Sequence, residues 1–128
     1  MSESGFGAKI HAVFVHTQDL KKSAAWYSDL LGLPFYEEEV ESPVYNMPVT
    51  GETYMTLDDH AFDPDYHFEP VRTPVFNFCS ADIAKSYQWV KEKGIMIVRD
   101  IEEHGDFGWF HIEDPDKNVV MICGTVQP

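Results

Sequence analysis

Six histidines, a surplus of acids and two cysteines define the chemistry open to this chain. His16 and His111 come first, because imidazole changes protonation near neutrality and serves as acid, base or ligand. Along an apolar, β-branched run, His16 alternates with Phe14 and Ala12, so all three face one side of a strand. Trp109, His111 and Glu113 share a face of a later run in the same way. Neither histidine has a partner assigned by its neighbours. Each is a catalytic candidate, set against the plainer reading of partial burial with a hydrogen bond. Asp58, Asp59, His60, Asp63, Asp65 and His67 concentrate metal-type donors in one stretch. Their spacing is not that of an EF-hand, which needs a glycine at its sixth position and a distant glutamate, so the stretch reads as a solvated loop. His11 and His104 read as surface or edge residues. Cys79 and Cys123 lie in apolar, strand-like runs and read as buried thiols rather than a disulfide. Nothing beside Cys79 would lower its pKa, which argues against a nucleophile.

The elements that must position these residues show through an internal repeat. Asp19-Leu20-Lys21-Lys22-Ser23-Ala24-Ala25-Trp26 recurs as Asp82-Ile83-Ala84-Lys85-Ser86-Tyr87-Gln88-Trp89, 63 residues later. Each copy follows an apolar run and ends at a glycine, Gly32 or Gly94. A strand over 10–17 leads to a helix near 19–31, capped by Asp19 and carrying an apolar stripe of Leu20, Ala24, Tyr27, Leu30 and Leu31. Gly32 fits a left-handed C-terminal cap. Strands are expected over 34–40, 43–49 and 52–57. The second copy predicts a strand over 75–79, a helix near 82–93, and strands over 95–100, 107–113 and 118–124, the last two joined by a turn over 114–118. The fold class is α+β: two tandem β-α-β-β-β modules, 8–58 and 73–125, flanking a linker at 59–72. Together they predict a single domain over 1–128, a curved eight-stranded mixed sheet around a cleft.

At 44% hydrophobic and 14% aromatic, 128 residues suffice for a core. No apolar stretch reaches the roughly 20 residues of a membrane span, so no membrane partner is expected. The start, Met1-Ser2-Glu3-Ser4, lacks the pattern of a secretory signal, and the expected location is cytoplasmic. The formal charge of −13 opposes nucleic acid, whose binding depends on Lys and Arg neutralising phosphates. That charge reads chiefly as solubility, and secondarily as an attraction for cationic ligands if it gathers at a cleft.

The run Thr17-Gln18-Asp19-Leu20-Lys21-Lys22-Ser23-Ala24-Ala25-Trp26-Tyr27, the later Leu31-Gly32-Leu33, and Phe110-His111-Ile112-Glu113-Asp114-Pro115-Asp116-Lys117-Asn118 carry a resemblance to a known family. With the repeat, they resemble the vicinal oxygen chelate superfamily of glyoxalases, bleomycin-resistance proteins and extradiol dioxygenases, over nearly the whole chain. Many relatives have glycine where Lys117 stands. The expectation is that this substitution affects only the turn, in a conformation ordinary for lysine. The resemblance implies a divalent metal held by four side chains, two per module. The matching positions are Ala12, Thr56, Val75 and Met121, which do not supply the His, Glu, Asp or Gln donors such an ion needs. A one-residue slip would bring His11 in place of Ala12 and fill one position of four. The expected metal set is therefore none, and the expected cofactor none.

The resemblance also makes the faces of His16 and of Trp109–Glu113 line the cleft, since fosfomycin-resistance relatives contact substrate at the equivalents of Trp109 and His111. It implies a ligand site of Phe14, His16, Tyr54, Thr56, Asp58, Trp109, His111, Glu113 and Met121. The favoured reading is a metal-independent small-molecule binding protein that sequesters a cationic or aromatic compound, as bleomycin-resistance relatives do. One alternative is a glyoxalase- or dioxygenase-like enzyme with a non-standard site using His16 and His111. Another is a regulatory or structural subunit with a vestigial cleft. Whether the chain is an enzyme stays open at this point. A homodimer is expected, because relatives of this length often complete the cleft across subunits.

Overall fold

Asp19 and Asp82 start the two long helices by the same device. Each has extended backbone, and its carboxylate accepts from the amide three residues on, Lys22 N at 3.1 Å and Lys85 N at 3.2 Å. One residue earlier than the gap before each cap, a hydroxyl accepts the cap's own amide: Thr17 for Asp19 and Ser80 for Asp82, both at 3.1 Å. That hydroxyl then pairs with a serine of the following helix, Ser23 or Ser86. The sequence repeat is thus a repeat of hydrogen bonds, ending each first strand and starting each helix. Both helices close alike, at Gly32 (φ 68°) and Gly94 (φ 73°), where left-handed backbone is easiest for glycine.

The computed structural model describes residues 4–128, which divide into two compact units, the first up to Tyr66 and the second from His67. In the first, β1 (Ala12–His16), α1 (Leu20–Leu31), β2 (Val44–Met47) and β3 (Tyr54–Asp58) form a three-stranded sheet in the order β1-β3-β2. β1 runs parallel to β3, and β2 antiparallel to it. In the second, β4 (Asn77–Ser80), α2 (Ile83–Glu92), β5 (Ile97–His104), β6 (Phe107–Glu113) and β7 (Val119–Thr125) form a sheet in the order β4-β7-β6-β5. Again only the first strand is parallel to its neighbour, β4 to β7. The mixed α+β class is as expected.

One strand of the first module is replaced. Over 34–40 a strand was expected, but Glu37–Glu39 form a single 3-10 turn, closed by Glu39 N to Tyr36 O and Val40 N to Glu37 O. Three successive carboxylates favour a solvated turn over a ladder. The described residues therefore hold seven strands, not eight. The Asp114–Asn118 turn corrects a second expectation: Lys117 stands at φ 67°, the left-handed region that favours glycine. Buried Asp114 holds it there, its carboxylate accepting from the amides of Asp116 and Asn118 at 2.9 Å and from Asn118 Nδ2 at 3.0 Å.

Each sheet covers a core on its helical face. In the first unit Val15, Met47, Met55 and Leu57 are buried with Leu20, Ala24 and Tyr27 of α1. In the second, Phe110, Ile112, Val120 and Ile122 are buried with Ile83 and Val90 of α2. Alternation then leaves the opposite face of each sheet for side chains that are mostly half-buried or exposed, with Thr56 and Val119 the buried exceptions. Gly124 is required by close approach: a Cβ there would collide with the Ser80 carbonyl oxygen across the β4–β7 pair.

Candidate functional site

The parallel β1–β3 ladder places Phe14 beside Thr56 and His16 beside Asp58, and Thr17 N extends it by donating to Asp58 O at 3.0 Å. His16 and Asp58 are the last residues of their strands, so their side chains meet where the chain leaves the sheet. The following turn folds back onto them. Asp58 Oδ1 accepts from His60 N at 2.8 Å, and Asp59 Oδ1 accepts from Ala61 N at 2.9 Å. Asp59 is fastened in turn, its amide donating to Pro43 O at 2.9 Å and Oδ2 accepting from Ser42 Oγ at 2.6 Å.

His60 takes a left-handed backbone, φ 57°, which costs a non-glycine residue on the order of 1–2 kcal/mol. Its ring stacks face to face on Tyr66, with centroids 3.6 Å apart and planes 3° from parallel. So held, His60 Nε2 lies 2.7 Å from His16 Nδ1 and 3.7 Å from Asp58 Oδ2. Two imidazole nitrogens at that distance share one proton, one donating and the other accepting. The pKa of His16 is lowered, first by burial and then by the charge of His60, with Asp58 acting in the opposite direction. A neutral imidazole is the form that ligates a metal.

One donor atom from each of His16, Asp58 and His60 falls within 4.8 Å of the others. Two imidazoles and one carboxylate are donors that zinc or non-haem iron(II) accepts, and three protein ligands leave positions for water or substrate. The donor chemistry fits a divalent ion. The 2.7 Å nitrogen separation is that of a shared proton, so an ion at Zn–N bonds near 2.0–2.1 Å requires the rings to part by roughly half an ångström or more.

The residues expected to line a site fall in two groups, one per unit. In the first, Phe14 and Tyr54 are 51% exposed on the open sheet face with His16 and Asp58, while Thr56 is buried and donates to Asn46 Oδ1 at 2.7 Å. In the second, Trp109, His111 and Glu113 share the open face of β6, and His111 pairs in register with Met121. Trp109 stacks on His104, centroids 5.0 Å apart, and Glu113 takes an ion pair from Arg72 at 2.8 Å. The pKa of His111 is lowered by burial first and Arg99 second, with Glu102 opposing. Val75 lies before β4 and is 74% exposed, away from the strand position expected of it.

His60 and Tyr66 were not among the expected site residues. His60 reads as solvated loop in sequence, yet only 18% of its side chain is exposed. The available signal is Asp58-Asp59-His60: an aspartate that bonds an amide two residues on makes a turn, and such a turn folds the next side chain back to the strand end.

No curated protein matches the chain. Among solved structures it is similar to lactoylglutathione lyase from Agrobacterium tumefaciens, at 17% identity over 92% of this chain and 94% of that one, TM-score 0.65. It is similar also to the oxidase ChaP-H1, at 18% identity over 95% and 98%, TM-score 0.67. A glyoxalase/dioxygenase from Nostoc punctiforme gives 18% identity over 99% and 97%, TM-score 0.66. At such identities the likeness is one of fold. The model of the Glyoxalase/Bleomycin resistance protein/Dioxygenase superfamily matches residues 9–122, nearly the full length, and the chain belongs to that superfamily.

Proposed function

We propose that this chain is a metal-dependent enzyme acting on a small, oxygen-bearing molecule, with a divalent ion held by His16, Asp58 and His60. The convergence of those three donors within 4.8 Å carries the reading. It places the donors at the ends of β1 and β3, rather than at the positions Ala12, Thr56, Val75 and Met121 that the family pattern matches in sequence. When bound, such an ion polarises a substrate oxygen. Asp58 fixes the His60 turn through one oxygen and leaves the other facing the His60 ring. Tyr66 orients that ring by stacking, and exposed Phe14 and Tyr54 offer an apolar wall on the same sheet face.

The test is metal titration of chelator-stripped protein with zinc, manganese and iron(II), read by elemental analysis and thermal shift. One ion per chain is expected, at one hundred times its dissociation constant adding about 2.7 kcal/mol. His16→Ala and His60→Ala should each weaken binding on the order of a hundredfold. Turnover within a panel of dicarbonyl and phenolic compounds should vanish with chelator and return with the ion. Absence of binding, or parental affinity in either variant, defeats the reading. The second reading, metal-free capture of a flat or cationic compound, is favoured by the Trp109–His104 stack and the acidic charge. It predicts ligand-induced stabilisation that chelator leaves unchanged.

A further inference from the structure

The two cysteines, expected to be separate buried thiols, are neighbours. Cys79 of β4 and Cys123 of β7 are register partners on adjacent parallel strands, so their side chains stand on one sheet face. Cys79 is exposed and Cys123 half-buried, both as free thiols. Two residues earlier on β7 along the same face comes Met121, a thioether. Strands about 4.8 Å apart put two such sulfurs within reach of a single ion. The helical face of the sheet is already committed to the core, so this sulfur-rich strip belongs to the open side.

We propose that Cys79 and Cys123 form a two-thiol site for a soft, thiophilic cation of the copper(I) class, with Met121 as an additional sulfur neighbour. Thiolate and thioether donors select such ions over zinc, manganese or magnesium. Binding forms two S–Cu bonds and releases two thiol protons to solvent, and copper keeps its oxidation state. Burial first, and neighbouring Cys79 second, raise the Cys123 pKa, so proton release accompanies binding at neutral pH. The site lies wholly within the second unit and shares no residue with His16, Asp58 and His60.

The test is anaerobic titration of the reduced, full chain with copper(I) against a bicinchoninate competitor. One copper per chain is expected, with affinity rising as pH rises. Cys79→Ser and Cys123→Ser should each weaken binding at least a hundredfold, and Met121→Leu by less. Trp109 is the register partner of Cys123, so its fluorescence should be quenched by copper and the quench lost in Trp109→Phe. Zinc affinity should be unchanged in Cys79→Ser, which separates this site from the histidine cluster. Because Cys79 is exposed, its serine variant is expected to fold, and circular dichroism checks that. Absence of copper binding, binding in either serine variant as tight as in the parent, or formation of only a disulfide on mild oxidation overturns the proposal.

Discussion

Lys117 shows how far a single residue can mislead a reading of sequence. Its place in Asp114-Pro115-Asp116-Lys117-Asn118 marks a turn plainly, but not the backbone conformation within it. The three hydrogen bonds accepted by the Asp114 carboxylate, from Asp116 N, Asn118 N and Asn118 Nδ2, fix the turn on either side of Lys117, which stands at φ 67°. Lys117→Gly should therefore stabilise the protein by about 1 kcal/mol, a few degrees of melting temperature, with the greater backbone freedom glycine gives the unfolded chain offsetting part of the relief. No gain in a thermal melt would mean the turn tolerates lysine without strain. His111 gives a second test at this scale. Its folded pKa is lowered, so below about pH 6.5 the unfolded chain takes up the proton more readily and stability falls as pH falls through the folded value. Melting curves of metal-free protein between pH 7.5 and 5 should fall less steeply for His111→Gln than for the parent. Of the three converging donors, His16 and Asp58 could be nominated by strand alternation. His60 could not, because its position depends on a ring stack and a left-handed turn rather than on any period.

Both helices were legible within about a residue at their starts, since the caps are side chains and the stop signals are glycines. The strands were less so. β6 matches the expected 107–113, whereas 34–40 forms a 3-10 turn, because an apolar flank of Pro34, Phe35 and Tyr36 resembles a strand until Glu37–Glu39 are weighed. Pairing partners were beyond reach of a local pattern, and with them the neighbour relation of Cys79 and Cys123. Pairing also explains Gly124, which reads in sequence as an ordinary strand end. Gly124→Ala should cost roughly 2–4 kcal/mol, because a methyl would collide with the Ser80 carbonyl and force β4 from β7. Gly32→Ala serves as the contrast, since only its left-handed backbone opposes the change and its Cβ meets nothing within 4 Å. Denaturant midpoints of the two variants distinguish collision from backbone preference, and equal losses would refute the close approach.

At the scale of the molecule, 22 acidic residues against 9 basic ones make self-repulsion a general term in stability. Raising potassium chloride from low to roughly 0.3 M should raise the melting temperature by a few degrees, because a Debye length near 6 Å screens charges beyond their nearest neighbours. A flat or falling response would show that specific ion pairs, such as Arg72–Glu113, outweigh the general repulsion. No helix among the described residues is long and apolar enough to cross a membrane. The replaced strand of the first unit has a consequence for assembly. It leaves β2 as the outer member of its sheet, with no described strand on its far side. β2 has only four residues, between Pro43 and Pro48, and the Met47 carbonyl is already taken by Val49 N. Prolines bring no amide to a ladder, so a stray chain would find at most a stub on which to build. Fibre growth from that margin would stall after a single turn of pairing.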